Sequence, residues 1–152
     1  MSKPFLIFLF SVLLQSCNNS KPTEKDFVGL WKSNDGATIE LKEDGSYSAN
    51  QINYYNFFFD KELQNKTIDF TGTWSLIEAR NGKRKVELKS NKTYQDFGVN
   101  KNYTINGESH SHKIGVSFEI SGQGAFENTP PWELFVWIGD PGDARKYKFQ
   151  KK

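Results

Sequence analysis

Ten residues from Phe5 to Leu14 carry no charge, behind a Met-Ser-Lys-Pro start and ahead of the polar run Gln15-Ser16-Cys17-Asn18-Asn19. A basic start and an apolar core of that length fit a secretory signal, whose apolar region holds roughly 7–15 residues. A membrane-crossing helix needs about 20, so this run is too short to be one. From Phe27 onward the pattern changes to a period of two, the mark of strands with one face buried. Phe27–Lys32 leads into Asn34-Asp35-Gly36, a hairpin signal because Asp-Gly readily supplies positive φ. Ala37–Lys42 alternates, Glu43-Asp44-Gly45 turns, and Ser46–Ile52 predicts a third strand.

A second block repeats the first. Gly72-Thr73-Trp74 echoes Gly29-Leu30-Trp31, and beyond the Asn81-Gly82 turn Val86-Glu87-Leu88-Lys89 echoes Ile39-Glu40-Leu41-Lys42. Ile114–Ile120 keeps strict period two, with one face buried and one wet. Trp132–Ile138 is apolar at nearly every position, which predicts a central strand covered on both faces. After Gly139-Asp140-Pro141-Gly142-Asp143, Lys146–Gln150 alternates as a closing strand. The expected fold is all-β: an antiparallel meander of about seven or eight strands forming a small barrel or sandwich. Its core should unite both ends of the chain, with Trp31, Trp74 and Trp132–Ile138 in one cluster. Two stretches are open. Residues 53–70 fit a short helix near Asp60–Gln64 or a flap, and residues 91–113 fit a long hairpin or a loop.

Leu14-Gln15-Ser16-Cys17 resembles a bacterial lipobox. The resemblance implies cleavage before Cys17 and attachment of lipid to its sulfur, chemistry that needs a thiol as nucleophile. Cys17 is the only cysteine, so an exported chain has no internal disulfide to make from it. The expected organisation is a signal peptide over 1–16, a lipidated cysteine with an extended tether over 17–26, and one β domain over 27–152. The expected address is the cell envelope, anchored in the outer membrane rather than the inner where there are two.

Composition narrows the partners. Lys and Arg number 20 against 18 Asp and Glu, so the sequence carries no basic excess for nucleic acid and no polybasic signal for anionic lipid. Aromatics make up 15% of the chain, which favours strands over helices.

Gly29-Leu30-Trp31 near the start of a small β domain resembles the Gly-x-Trp of lipocalins. That resemblance implies a Trp plugging one barrel end, with Arg145 packing over it. The competing reading is a strand Trp buried for its size alone. A broader likeness is to small, functionally uncharacterised bacterial exported lipoproteins. It rests on Gly29-x-Trp31, Ile39-x-Leu41, Asp44-Gly45, Gly72-x-Trp74, Phe135–Pro141 and Tyr147-x-Phe149, and it implies a fold and an envelope address but no activity.

Candidate chemistry is sparse. His110 and His112, two apart, share a strand face with Glu108, but no third firm zinc ligand stands near them. Asp140 and Asp143 supply two carboxylates where calcium wants about 6–8 oxygens, so a turn is the simpler reading. No Gly-x-Ser-x-Gly elbow occurs, and the carboxylates Glu119 and Glu127 have no spacing that makes them a pair. No metal or other cofactor is called for. The aromatic run Tyr54, Tyr55, Phe57, Phe58 and Phe59 is the candidate ligand-binding surface, its alternative being a flap over the core. The expected function is a non-enzymatic binding or accessory module. Its partners are the membrane, through lipid on Cys17, and a small apolar ligand or an envelope protein. An envelope hydrolase is the alternative.

Overall fold

The computed structural model describes residues 21–59, 63–124 and 130–152. Helix α1 (Glu24–Phe27) precedes strands β1 (Gly29–Lys32), β2 (Thr38–Leu41) and β3 (Ser46–Asn53). Helix α2 (Tyr54–Phe58) then leads to β4 (Thr67–Glu78) and β5 (Arg84–Thr93). A small hairpin of β6 (Asn102–Ile105) and β7 (Glu108–Ser111) intervenes before β8 (Lys113–Ile120), β9 (Glu133–Trp137) and β10 (Lys146–Lys151).

Eight of these strands close into a barrel in the order β1-β10-β9-β8-β5-β4-β3-β2, every pair antiparallel, while β6 and β7 form a separate two-stranded sheet. The barrel is therefore a meander with one excursion. Closure leaves no exposed sheet edge in its wall, which is the physical advantage over an open sheet of the same strands.

The period-two pattern sets the inside. In β8, Ile114, Val116, Phe118 and Ile120 are buried, with Lys113, Gly115 and Ser117 exposed between them. The same alternation buries Ile39 and Leu41 in β2, Val86 and Leu88 in β5, and Tyr147 and Phe149 in β10. An eight-stranded barrel is just wide enough for side chains to fill. Trp31, Trp74, Trp132, Leu134 and Val136 belong to one core cluster, so the core does unite the two ends of the chain. The wall has no central strand, and β9 buries its faces differently from expectation. Leu134 and Val136 are core, whereas Phe135 is covered from outside by the edge of Trp137 at 5.3 Å and by the Lys146 ammonium at 4.2 Å.

Two corrections concern the ends. The expected tether does not stay extended to Asp26. Pro22 is buried, and Thr23 caps α1 through a capping box with Asp26. Phe27, the last residue of α1, stacks on Trp31 at 5.9 Å. Apolar burial at Phe27 and a satisfied cap outweigh the polar character of the preceding residues. A short helix lies at Tyr54–Phe58; of the expected helix near Asp60–Gln64, residues 60–62 fall outside the described residues and Leu63 is in 3-10 conformation. Arg145 does not pack over Trp31; it lies 6.0 Å from the Phe59 ring. The basic residue opposite Trp31 is Lys151, whose Nζ donates to the Asp26 carbonyl at 2.9 Å. The stretch 91–113 resolves into the β6–β7 hairpin and a 3-10 turn at Gln95–Phe97.

Candidate functional site

The barrel has two chemically different ends. At the α1 end, both echoing tryptophans are pinned by backbone carbonyls: Trp31 Nε1 donates to Phe27 O at 2.7 Å, and Trp74 Nε1 to Lys42 O at 2.8 Å. The opposite end, where α2 sits, carries the expected ligand-binding residues.

Asn53 caps α2 by accepting the Asn56 amide at 3.2 Å, and Phe59 ends it in the left-handed region at φ 52. This single turn directs its rings in different directions. Phe57 reaches the barrel interior, 5.5 Å from Phe118, 5.6 Å from Tyr147, 6.1 Å from Phe149 and 6.3 Å from Phe70. Most of these contacts are edge-to-face, a favoured aromatic arrangement. Tyr54 is fully buried, Phe58 packs on Tyr94 at 5.3 Å, and Tyr55 is half-buried against Phe59. Only Phe59 is exposed, at 42%, with Gly139 so close that a Cβ there would come within 2.8 Å of its ring. The five aromatics therefore form a plug with one outward ring, rather than an exposed patch.

Beside the plug lies a polar clasp that sequence reasoning missed. β1 and β10 pair only at Trp31–Lys151 and Lys32–Gln150. Farther toward the α2 end the seam is bridged by Tyr147, whose hydroxyl donates to both Asp35 oxygens at 2.9 and 3.1 Å. Ser33 Oγ donates to the same carboxylate, and the Ala37 amide does so at 3.3 Å. A serine, an aspartate and a tyrosine meet here without a histidine to act as base, and three donors already occupy the carboxylate. Its chemistry is that of a fastener. Asn34-Asp35-Gly36 reads in the sequence as a turn and nothing more, because its partner is 112 residues away.

Burial drives two of the core tyrosines up: Tyr47 to about 12, with the Ser90 hydroxyl offsetting part of the effect, and Tyr147 further still, with Asp35 adding to it. A phenol whose folded pKa is raised holds its proton more tightly when folded. Its stabilisation is complete below the ordinary value near 10 and is lost as pH rises through the folded value. Stability should therefore fall above about pH 10, by up to ~1.4 kcal/mol per pH unit for each tyrosine. Ultraviolet titration should show these two phenols ionising together with unfolding. Early ionisation of both in a folded chain would contradict their burial.

The β6–β7 hairpin is exposed along nearly its whole length. The register pairs Tyr103 with His110 and Ile105 with Glu108, so those four share one face. Tyr103 lies between the two imidazoles, 5.6 Å from His110 and 4.5 Å from His112. His110 Nε2 is 4.0 Å from Glu108. Among the described residues no group of three or more His, Cys, Asp or Glu converges to hold a metal. Tyr103 at 40% and Ile105 at 51% are among the most exposed large apolar side chains of the described residues.

The other candidates are structural. Asp140 accepts the Gly142 amide at 2.7 Å, and Asp143 pairs with Arg145 at 3.4 Å. Glu119 pairs with Lys85 at 2.5 Å, while Glu127 and Cys17 lie outside the described residues.

The architecture defines a small closed antiparallel β-barrel with a separate projecting hairpin. Comparison of the chain with family models, with curated proteins and with solved structures gives no match in any of the three.

Proposed function

We propose that the chain is a lipid-anchored lipoprotein of the bacterial cell envelope, and that its barrel is a non-enzymatic binding or accessory module. The observation that carries this reading is the lipobox-like run Leu14-Gln15-Ser16-Cys17, which lies in the sequence just ahead of the barrel. Only four residues separate Cys17 from Pro22, which is buried beside α1. The opposite end is plugged by Phe57 and flanked by a hairpin that offers Tyr103 and Ile105 to solvent. An interior filled with side chains favours recognition by the outer surface over storage of a ligand inside. Exposed aromatic and branched side chains on a projecting ribbon suit contact with an envelope protein.

Lipidation tests the anchor. Cells given a clickable fatty acid should label the wild-type chain and leave Cys17→Ser unlabelled. Equal labelling of both forms would overturn the proposal. A photo-crosslinking residue at position 103 should capture a discrete envelope partner, whereas one at Ser117 on the barrel wall should not.

A further inference from the structure

We propose that the α1 end of the barrel faces the membrane and that a basic cleft in it takes the phosphate of anionic lipid headgroups. The orientation rests on the lipoprotein reading above; the cleft itself does not. It measures about 250 Å³ and lies between Lys21–Pro22, the turn of the β4–β5 hairpin at Asn81–Arg84, and Gln123–Gly124.

Its frame is tied together by hydrogen bonds. Arg84 Nη1 donates to Pro22 O at 2.6 Å, the Arg84 amide donates to Gln123 Oε1 at 2.7 Å, and Gln123 Nε2 donates back to Arg84 O at 2.7 Å. These bonds fix Pro22 against the hairpin. They also leave Lys21 and Lys83, with Arg80 on the adjoining turn, as cations with no ion-pair partner among the described residues. Among the described residues no carboxylate lines the cleft and none of these three side chains enters an ion pair. Glu78, opposite Arg84 in the ladder, makes no ion pair among the described residues either. Other acids at this end are Glu24 and Asp26 on α1, Glu43 and Asp44 on the β2–β3 turn, Glu119 on β8 and Glu133 on β9. Asp26 is committed to the Thr23 cap, Asp44 to Ser46, Glu119 to Lys85 and Glu133 to Lys148, while Glu24 and Glu43 lie away from the cleft on the α1 side.

Position selects the anion. From Cys17 to Lys21 the chain spans at most about 14 Å when fully extended, so lipid on Cys17 holds this face close to the headgroups. Attraction between exposed charges fades beyond about 8 Å at physiological salt, so a basic cleft is effective at this end and idle at the other. A cation beside an anionic surface strengthens attachment about fivefold. The near-balance of charge over the whole chain conceals this local surplus.

The test uses the full chain carrying Cys17→Ser, which has no lipid at that position whether or not the wild type does. It is titrated with vesicles of phosphatidylcholine alone and with vesicles rich in phosphatidylglycerol. Tighter binding to the anionic vesicles is expected, weakening as salt rises. Arg80→Gln with Lys83→Gln should lower that preference by roughly 25-fold, with the melting temperature unchanged. Lys92→Gln with Lys113→Gln, at the α2 end, should leave it alone. Arg84 is spared because it holds Pro22. Equal binding to both vesicles, or equal loss from the two double variants, would overturn the cleft. Full competition by free inorganic phosphate at low concentration would also overturn it, as a soluble-phosphate site. Failure of fatty-acid labelling would remove the anchor and not this result, so the two readings fail separately.

Discussion

Trp31→Ala will lower the urea midpoint sharply, by roughly 1 M or more. The ring is 1% exposed, stacks on Phe27 at 5.9 Å and donates from Nε1 to the Phe27 carbonyl at 2.7 Å. Truncation removes that packing, leaves a cavity at the α1 end, and strands a carbonyl near the last turn of the helix. Large-to-small changes at buried aromatics cost about 3–5 kcal/mol. A domain of this size commonly has about 5–15 kcal/mol in all, and m is about 1–3 kcal/mol/M in urea. The neighbouring Leu30, 43% exposed on the outer face, is the control: Leu30→Ala should shift stability by no more than about 0.5 kcal/mol. If Trp31→Ala proved as mild as Leu30→Ala, the helix-capped end would be wrong, and Trp31 would become a candidate binding residue.

Gly72→Ala should be comparably damaging, for the opposite reason. A Cβ at Gly72 would stand 2.0 Å from the Lys89 carbonyl oxygen and 2.9 Å from both the Lys89 carbonyl carbon and the Ser90 Cα. All three are backbone atoms of the neighbouring strand, so no side chain can swing aside. β4 and β5 must separate where Gly72 pairs with Ser90, and Tyr47, opposite Gly72 on β3, loses its seat. Overpacking usually costs about 1–3 kcal/mol, and a clash with fixed backbone belongs at the upper end or beyond. Urea unfolding should show the loss, and amide exchange should quicken along β4 and β5 first. Gly115→Ala is the control, because its Cβ would meet only Leu88 O, at 3.8 Å. Equal tolerance at positions 72 and 115 would refute the close approach of β4 and β5.

These two residues show where sequence reasoning reaches and where it stops. Gly29-x-Trp31 and Gly72-x-Trp74 look alike in the chain, and both indoles do bind a backbone carbonyl. Their glycines nonetheless serve different ends. Gly29 adopts φ 129 where the chain turns from α1 into β1, whereas Gly72 sits inside a strand to admit its neighbour. Spacing reports the ring and not the reason for the glycine. The aromatic run Tyr54–Phe59 shows the same limit. Its apolar character is plain, yet whether it faces solvent or core depends on a helical turn whose rings are sorted by the barrel mouth.

The alternation of apolar and polar residues, with Asp-Gly and Asn-Gly turns between, determined by itself the eight strands, their antiparallel meander and the inward set of the alternating ones, though not that of β9. Period two and short turns are local properties, and every barrel pairing but two joins neighbours in sequence. Tertiary structure alone decided that the meander closes, that Asp35 fastens Tyr147 across the seam, that Phe57 fills the interior, and that Lys21, Arg80 and Lys83 gather at one end. Closure brings together residues up to 125 positions apart. Contacts of that range leave no periodic trace in a single chain, because each is set by the shape of the whole barrel rather than by the residues beside it.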